Sequence, residues 1–173
     1  MNEAVLYALA EVAATLAGFS GLVVTFRFRG IQRWSPTELR VLWLLIGDSL
    51  LVVLFSLVPV PLALFGWPSD VIWTTCSALL GTWFLVGSAL GIRGDLADRA
   101  HGRLITVPVI TPVLYVVLVI AIAMGVALWL SALAFIVPRG QAIYVLGLIT
   151  LIAFAATEFL FFIGLMSQRG AER

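Results

Sequence analysis

Three carboxylates interrupt long apolar stretches of this 173-residue sequence: Glu11, Asp48 and Glu158. On insertion scales an acid near the bilayer centre costs about 2.5–3.5 kcal/mol, so such residues face a protein interior or a cavity and find partners there. Basic residues do not supply partners at depth. All ten are arginines, and each lies in or at the margin of a connection between apolar runs, or in the C-terminal tail. Desolvation without a cationic partner disfavours a charged carboxylate, so protonated acids that donate hydrogen bonds are expected, with Thr15, Ser49 and Thr157 as nearby hydroxyls. Two roles suit that chemistry. Acids that exchange protons can form a path for protons or small cations, whereas permanently protonated acids serve as interhelical hydrogen-bond glue.

The composition states what must hold these groups. Apolar residues make up 62% of the chain and charged residues 11%, with a mean hydropathy of +1.15. Soluble domains carry roughly 45–50% and about 25% respectively, so the lipid bilayer is the expected surroundings. Low hydrophobicity would be needed for disorder, and several cysteines for a secreted disulfide scaffold, but Cys76 stands alone. A net charge of +1 provides no basic field for nucleic acid.

Five apolar runs are long enough to cross a hydrocarbon core of about 30 Å: residues 5–26, 39–64, 71–92, 108–137 and 141–166. The expected fold is all-α, a polytopic transmembrane helical bundle of five spans forming one domain over residues 1–173. The Met1-Asn2-Glu3 start lacks the positive charge of a cleavable signal, so the first span is expected to be retained. Arginine distribution sets the orientation, since basic residues collect in cytoplasmic loops. Arg27, Arg29, Arg33 and Arg40 flank the first connection, Arg93, Arg99 and Arg103 the third, and Arg169 and Arg173 the tail. The second connection, 66–70, has none, and the fourth has only Arg139. This alternation puts the N-terminus outside and the C-terminus in the cytoplasm.

Tyr7, Trp67, Trp73, Trp129 and Tyr144 then fall near outer span ends, and Trp34, Trp43 and Tyr115 near inner ends, as interfacial aromatics do. Ser35-Pro36-Thr37-Glu38 reads as a capping box that starts the second helix at Pro36. Pro59 and Pro61 remove backbone donors and predict a kink or early stop near its far end. The third connection, 93–107, is expected to be a solvated loop, with a short interfacial helix as the weaker alternative.

Helical spacing puts Ala4, Ala8, Glu11, Thr15, Gly18, Leu22 and Thr25 on one stripe of the first span, with Ala10, Ala13, Ala17 and Gly21 on a second. Small residues allow close helix approach in lipid, so this helix is expected to be central and buried. Gly18, Gly21, Gly81 and Gly125 are the expected packing glycines. By depth, Glu11 belongs to the outer half, while Asp48 and Glu158 each lie roughly two to three turns from the cytoplasmic end and could meet as a coupled pair. Five helices leave little room for an axial pore, so a channel would require a homo-oligomer, with the Glu11 and Thr15 stripe facing its axis.

No enzymatic constellation is legible. Cys76 and His101 fall in different layers, no metal or haem ligand set exists, and no glycine loop suits a phosphate, so no cofactor is expected. Asp95, Asp98 and His101 recur every three residues, a spacing more often met among solvated loop charges than around a metal. The stretch from Glu11 through Thr15 and Gly18-Phe19 to Gly21, an E-x3-T-x2-G-F-x-G pattern, resembles a family of small, uncharacterised multi-span proteins of bacterial inner membranes. That resemblance implies a location in the bacterial cytoplasmic membrane and no particular activity. An oligomeric channel or carrier for protons or small cations is the leading expectation, and a non-enzymatic membrane scaffold or interaction subunit the alternative.

Overall fold

A computed structural model describes residues 3–27, 36–100, 110–133 and 140–171, and these are almost wholly helical. The elements are α1 (Glu3–Arg27), α2 (Pro36–Leu57), α3 (Pro59–Leu64), α4 (Ser69–Ala100), α5 (Ile110–Ala132) and α6 (Gln141–Ala171). Five helical stretches are long and apolar enough to cross a membrane: Glu3–Leu22, Leu39–Leu64, Ser69–Gly94, Val113–Ala132 and Gln141–Gly164. Helices dominate because lipid offers no hydrogen-bond partner to the backbone, and a helix satisfies its own amides and carbonyls.

Local chemistry sets several boundaries. α2 begins at Pro36, where a missing amide costs nothing, while the proposed cap Ser35 lies outside the described residues. Pro59 divides the second span: α2 ends at Leu57, Val58 forms a turn, and α3 restarts at the proline. The Val58 amide still donates to the Leu54 carbonyl at 3.0 Å, so the break is a short offset and the span continues to Leu64. α3 then ends in a Schellman turn. Gly66 takes a φ of 77°, its amide reaches Ala63 O at 3.0 Å, and the Trp67 amide reaches Leu62 O at 3.2 Å.

The third connection differs from expectation. α4 runs on to Ala100, so residues 93–100 are helix where a loop was expected. Leu96, Ala97 and Ala100 are good helix formers, and Asp95 and Arg99 stand four apart, the spacing that supports a helix leaving the membrane. His101 and Arg103 lie outside the described residues, as do Arg29, Arg33, Trp34, Arg139 and Arg173.

The chain forms two compact units: Met1–Pro61 with Leu148–Arg173, and Leu62–Gly147. In the first, α1 packs along α2; in the second, α4 packs along α5. The second unit is closed by glycines. A Cβ at Gly81 would lie 3.0 Å from the Gly125 carbonyl oxygen and 3.1 Å from Leu128 Cβ, and one at Gly125 would lie 2.9 Å from Leu85 Cγ. Gly147 on α6 is equally tight, 2.9 Å from Leu80 Cδ2. Backbone approach of this kind is what small residues provide where lipid supplies no hydrophobic drive between helices.

Gly81→Ala therefore pushes a methyl group against backbone and should lower stability by about 1–3 kcal/mol through overpacking. Gly87→Ala on the same helix, with open space at its Cβ position, should be neutral or slightly stabilising. Thermal unfolding in detergent compares the two; equal midpoints would show that the close contact carries no energy.

Candidate functional site: an intramembrane carboxyl pair

On α2 the buried line runs Leu42, Leu45, Ser49, Val52, Ser56, the i, i+3, i+7 rhythm of a helix with one covered face. Trp43, Leu50, Leu54 and Leu57 are exposed, as apolar residues facing lipid should be. Asp48 stands beside Ser49, half-buried at the edge of the covered face. The second half of α6 repeats the pattern with Leu151, Ala155 and Phe162 buried. Glu158 falls on that same line, half-buried, one turn from both Ala155 and Phe162.

Within the first unit these two helices bring Asp48 and Glu158 close enough for each carboxyl to feel the other's charge. Oε2 of Glu158 is shut off from solvent and has no hydrogen-bond partner. A buried acid used as interhelical glue would have its oxygens bonded across the contact. This oxygen does not.

Glu11 does not join the pair through a covered face. α1 buries Leu6, Ala13 and Ser20, while Glu11 points to the opposite side and is exposed. Every member of its stripe is exposed with it: Ala4, Ala8, Thr15, Gly18, Leu22 and Thr25. The expectation of a central, buried first helix is thus corrected within this chain. A Cβ at Gly18 or Gly21 would meet nothing within 4 Å, so neither glycine packs against a neighbouring helix of the chain, unlike Gly81 and Gly125.

The hydroxyls divide into two groups. Thr15, Ser20, Thr25, Thr82 and Thr157 each donate to the carbonyl four residues earlier, at 2.7–2.8 Å. Thr15 and Thr157, expected as neighbours of the acids, therefore spend their protons on their own helices, Thr15 on the carbonyl of Glu11 itself. The buried Oγ atoms of Ser49 and Ser56 make no such bond. Seven residues apart, they lie on one face of α2 about 10.5 Å from each other. Ser56 was missed from sequence because serine in a span is usually back-bonded, and only geometry separates the two cases.

The second unit holds a polar cluster that sequence also missed. Cys76 and Tyr144 are buried and hydrogen-bonded, and the Tyr144 ring lies 5.8 Å from that of Trp73 at 50°. Trp73 and Tyr144 were expected at the outer interface; both are instead buried side chains. Among the described residues no group of three or more His, Cys, Asp or Glu could hold a metal ion. Asp95 and Asp98 are on the helical extension of α4, but His101 of that proposed triplet lies outside the described residues. Comparison with family models, curated proteins and solved structures found no match.

A buried oxygen without a partner is a cost to stability. Glu158→Met, which fills similar volume with an apolar chain, should leave thermal stability in detergent unchanged or raise it by about 1–3 kcal/mol. A marked loss would show that Glu158 holds the fold together through bonds it does make.

Proposed function

We propose that this protein is a channel or carrier for protons or small cations in a bacterial cytoplasmic membrane, with Asp48 and Glu158 as its ion-handling site. The supporting observation is the pairing itself: two acids from separate helices within electrostatic reach, one presenting a buried oxygen that no protein group satisfies. Two carboxyls this close titrate as a unit, so the pair can hold one positive charge, as a proton or as a cation, and release it when the surroundings change. Ser49 and Ser56 extend the polar line along α2 and offer oxygens that water or an ion can use.

The arginine distribution supports an orientation with the N-terminus outside and the C-terminus in the cytoplasm. Asp48 and Glu158 then belong to the inner half of the bilayer, and Glu11 with Thr15 to the outer half. The alternative, a scaffold whose acids are glue, is less well supported because Glu158 Oε2 has no partner to hold. No catalytic or cofactor chemistry is proposed.

In liposomes loaded with a pH-sensitive dye, the purified protein should give proton or cation flux that depends on pH, reduced at least tenfold in Asp48→Asn and in Glu158→Gln. Liposomes that stay silent, or flux unchanged in both variants, would refute the transport reading. Orientation is checked separately: a fluorescent protein fused after Arg173 should fold in the cytoplasm, and a cysteine at Ser69 should react with an impermeant maleimide added outside intact cells. The reverse pattern would invert the topology.

A further inference from the structure

Glu11 poses a problem that its own unit does not solve. It lies within an apolar span, yet its side chain is exposed, on a face opposite the one that α1 packs against the rest of its unit. Hydrocarbon cannot satisfy a carboxyl group, charged or neutral, so another surface must cover it.

We infer that a second copy of this chain covers it, and that the α1 faces meet so that Glu11 of one copy pairs with Glu11 of the next. Three observations select this occupant. The first is depth. Copies inserted with the same topology and related by an axis along the membrane normal carry Glu11 at one level, so the acids meet without any vertical offset. Asp48 and Glu158 lie on other helices and already face each other. The second is chemical self-complementarity. A protonated carboxylic acid both donates and accepts a hydrogen bond, so two identical acids satisfy one another with no third group. The apolar spans of this sequence contain no lysine or histidine, and their arginines stand at the margins, so no cation at that depth competes for the role.

The third is steric. Ala4 and Ala8 on one side of Glu11, and Thr15 and Gly18 on the other, keep the stripe low, and the Gly18 Cβ position is open. Thr15 and Thr25 bond to their own backbone, so they present methyl-bearing surfaces to the partner and leave the acid as the group that needs one. Leu22 on the strip, with the exposed Val12 and Phe19 to one side of it, can pack around the crossing. In the second unit small residues at Gly81, Gly125 and Gly147 are filled by the same chain; on α1 the equivalent space is left for another chain. The association brings a second pair of acids into the assembly, one from each copy, which the isolated chain lacks.

The test uses single-cysteine variants in a Cys76→Ser background, cross-linked in native membranes with a short bis-maleimide. Ala8→Cys and Thr15→Cys, one turn from Glu11, should give a band at twice the chain mass. Trp43→Cys and Leu160→Cys, at positions 72% and 70% exposed on α2 and α6, should give at least tenfold less. Equal yields at all four sites would indicate random collision and overturn the inference. A product of another mass at Ala8 and Thr15 would show a different protein on this face, and no cross-linked product at either site would show that no second copy covers it; either also overturns it. Counting photobleaching steps of labelled wild-type protein at low density in liposomes guards against variants that do not fold. Two or more steps per spot are expected, falling mainly to one in Glu11→Leu and remaining in Glu11→Gln. Single steps for the wild type, or assembly unaffected by Glu11→Leu, would contradict pairing through Glu11. None of these readouts depends on transport.

Discussion

Hydrocarbon contains no hydrogen-bond partner, and the structure follows from how each polar group in the spans copes with that fact. The backbone is helical for this reason. Where Pro59 interrupts the second span, the chain restarts a helix at once, and where α3 ends at the Gly66 turn, the last carbonyls are bonded by returning amides. Most side-chain hydroxyls with a described hydrogen bond fold back onto their own helix. What remains among the described residues after these local solutions is a small set of groups with no local answer: Glu158 Oε2, the oxygens of Ser49, Ser56, Ser77 and Ser88, and the exposed Glu11. Function is most economically sought among them.

The two units answer the constraint differently. The Leu62–Gly147 unit is tight, with glycines that admit neighbouring helices to backbone distance and a buried group in which Cys76 and Tyr144 are hydrogen-bonded and the Tyr144 ring is tilted against that of Trp73. Its interior has no acid. The other unit contains all three intramembrane acids, and its glycines at Gly18, Gly21, Gly47 and Gly164 all face open space. Buried hydroxyls without a partner occur in both units, Ser49 and Ser56 in one and Ser77 and Ser88 in the other, but the buried carboxyl oxygen without a partner, Glu158 Oε2, belongs to the unit that holds the acids.

The extent of each long helix was legible in the sequence; rotation about its axis was not. Apolar run length locates five spans, Pro36 starts α2, and Pro59 breaks it, because each of these depends on local backbone chemistry. The same depth argument placed Asp48 and Glu158 at one level, and the structure puts them within electrostatic reach. Azimuth depends on which neighbour is present, and a single sequence does not state it. Trp73 and Tyr144, expected near outer span ends, turn inward onto each other. The small stripe of α1 has the composition of a packing seam, yet the seam formed within the chain lies on the side of Leu6, Ala13 and Ser20. Composition tells that a close contact is possible and is silent on whether the contact is within one chain or between two. The helix over residues 93–100 was missed for another reason: charged residues were read as loop because they leave the membrane, although their spacing also stabilises a helix in water.

In the proposed function Asp48 and Glu158 act as one proton-exchanging unit. Infrared difference spectroscopy on the protein in lipid reads the carbonyl stretch of protonated carboxyls directly, without requiring flux. A coupled pair gives a carboxyl band that changes reversibly as the bulk pH is stepped and that is displaced by Asp48→Asn even though Glu158 is intact. A band insensitive to pH, or a Glu158 signal identical with and without Asp48, would show two isolated structural acids and contradict it.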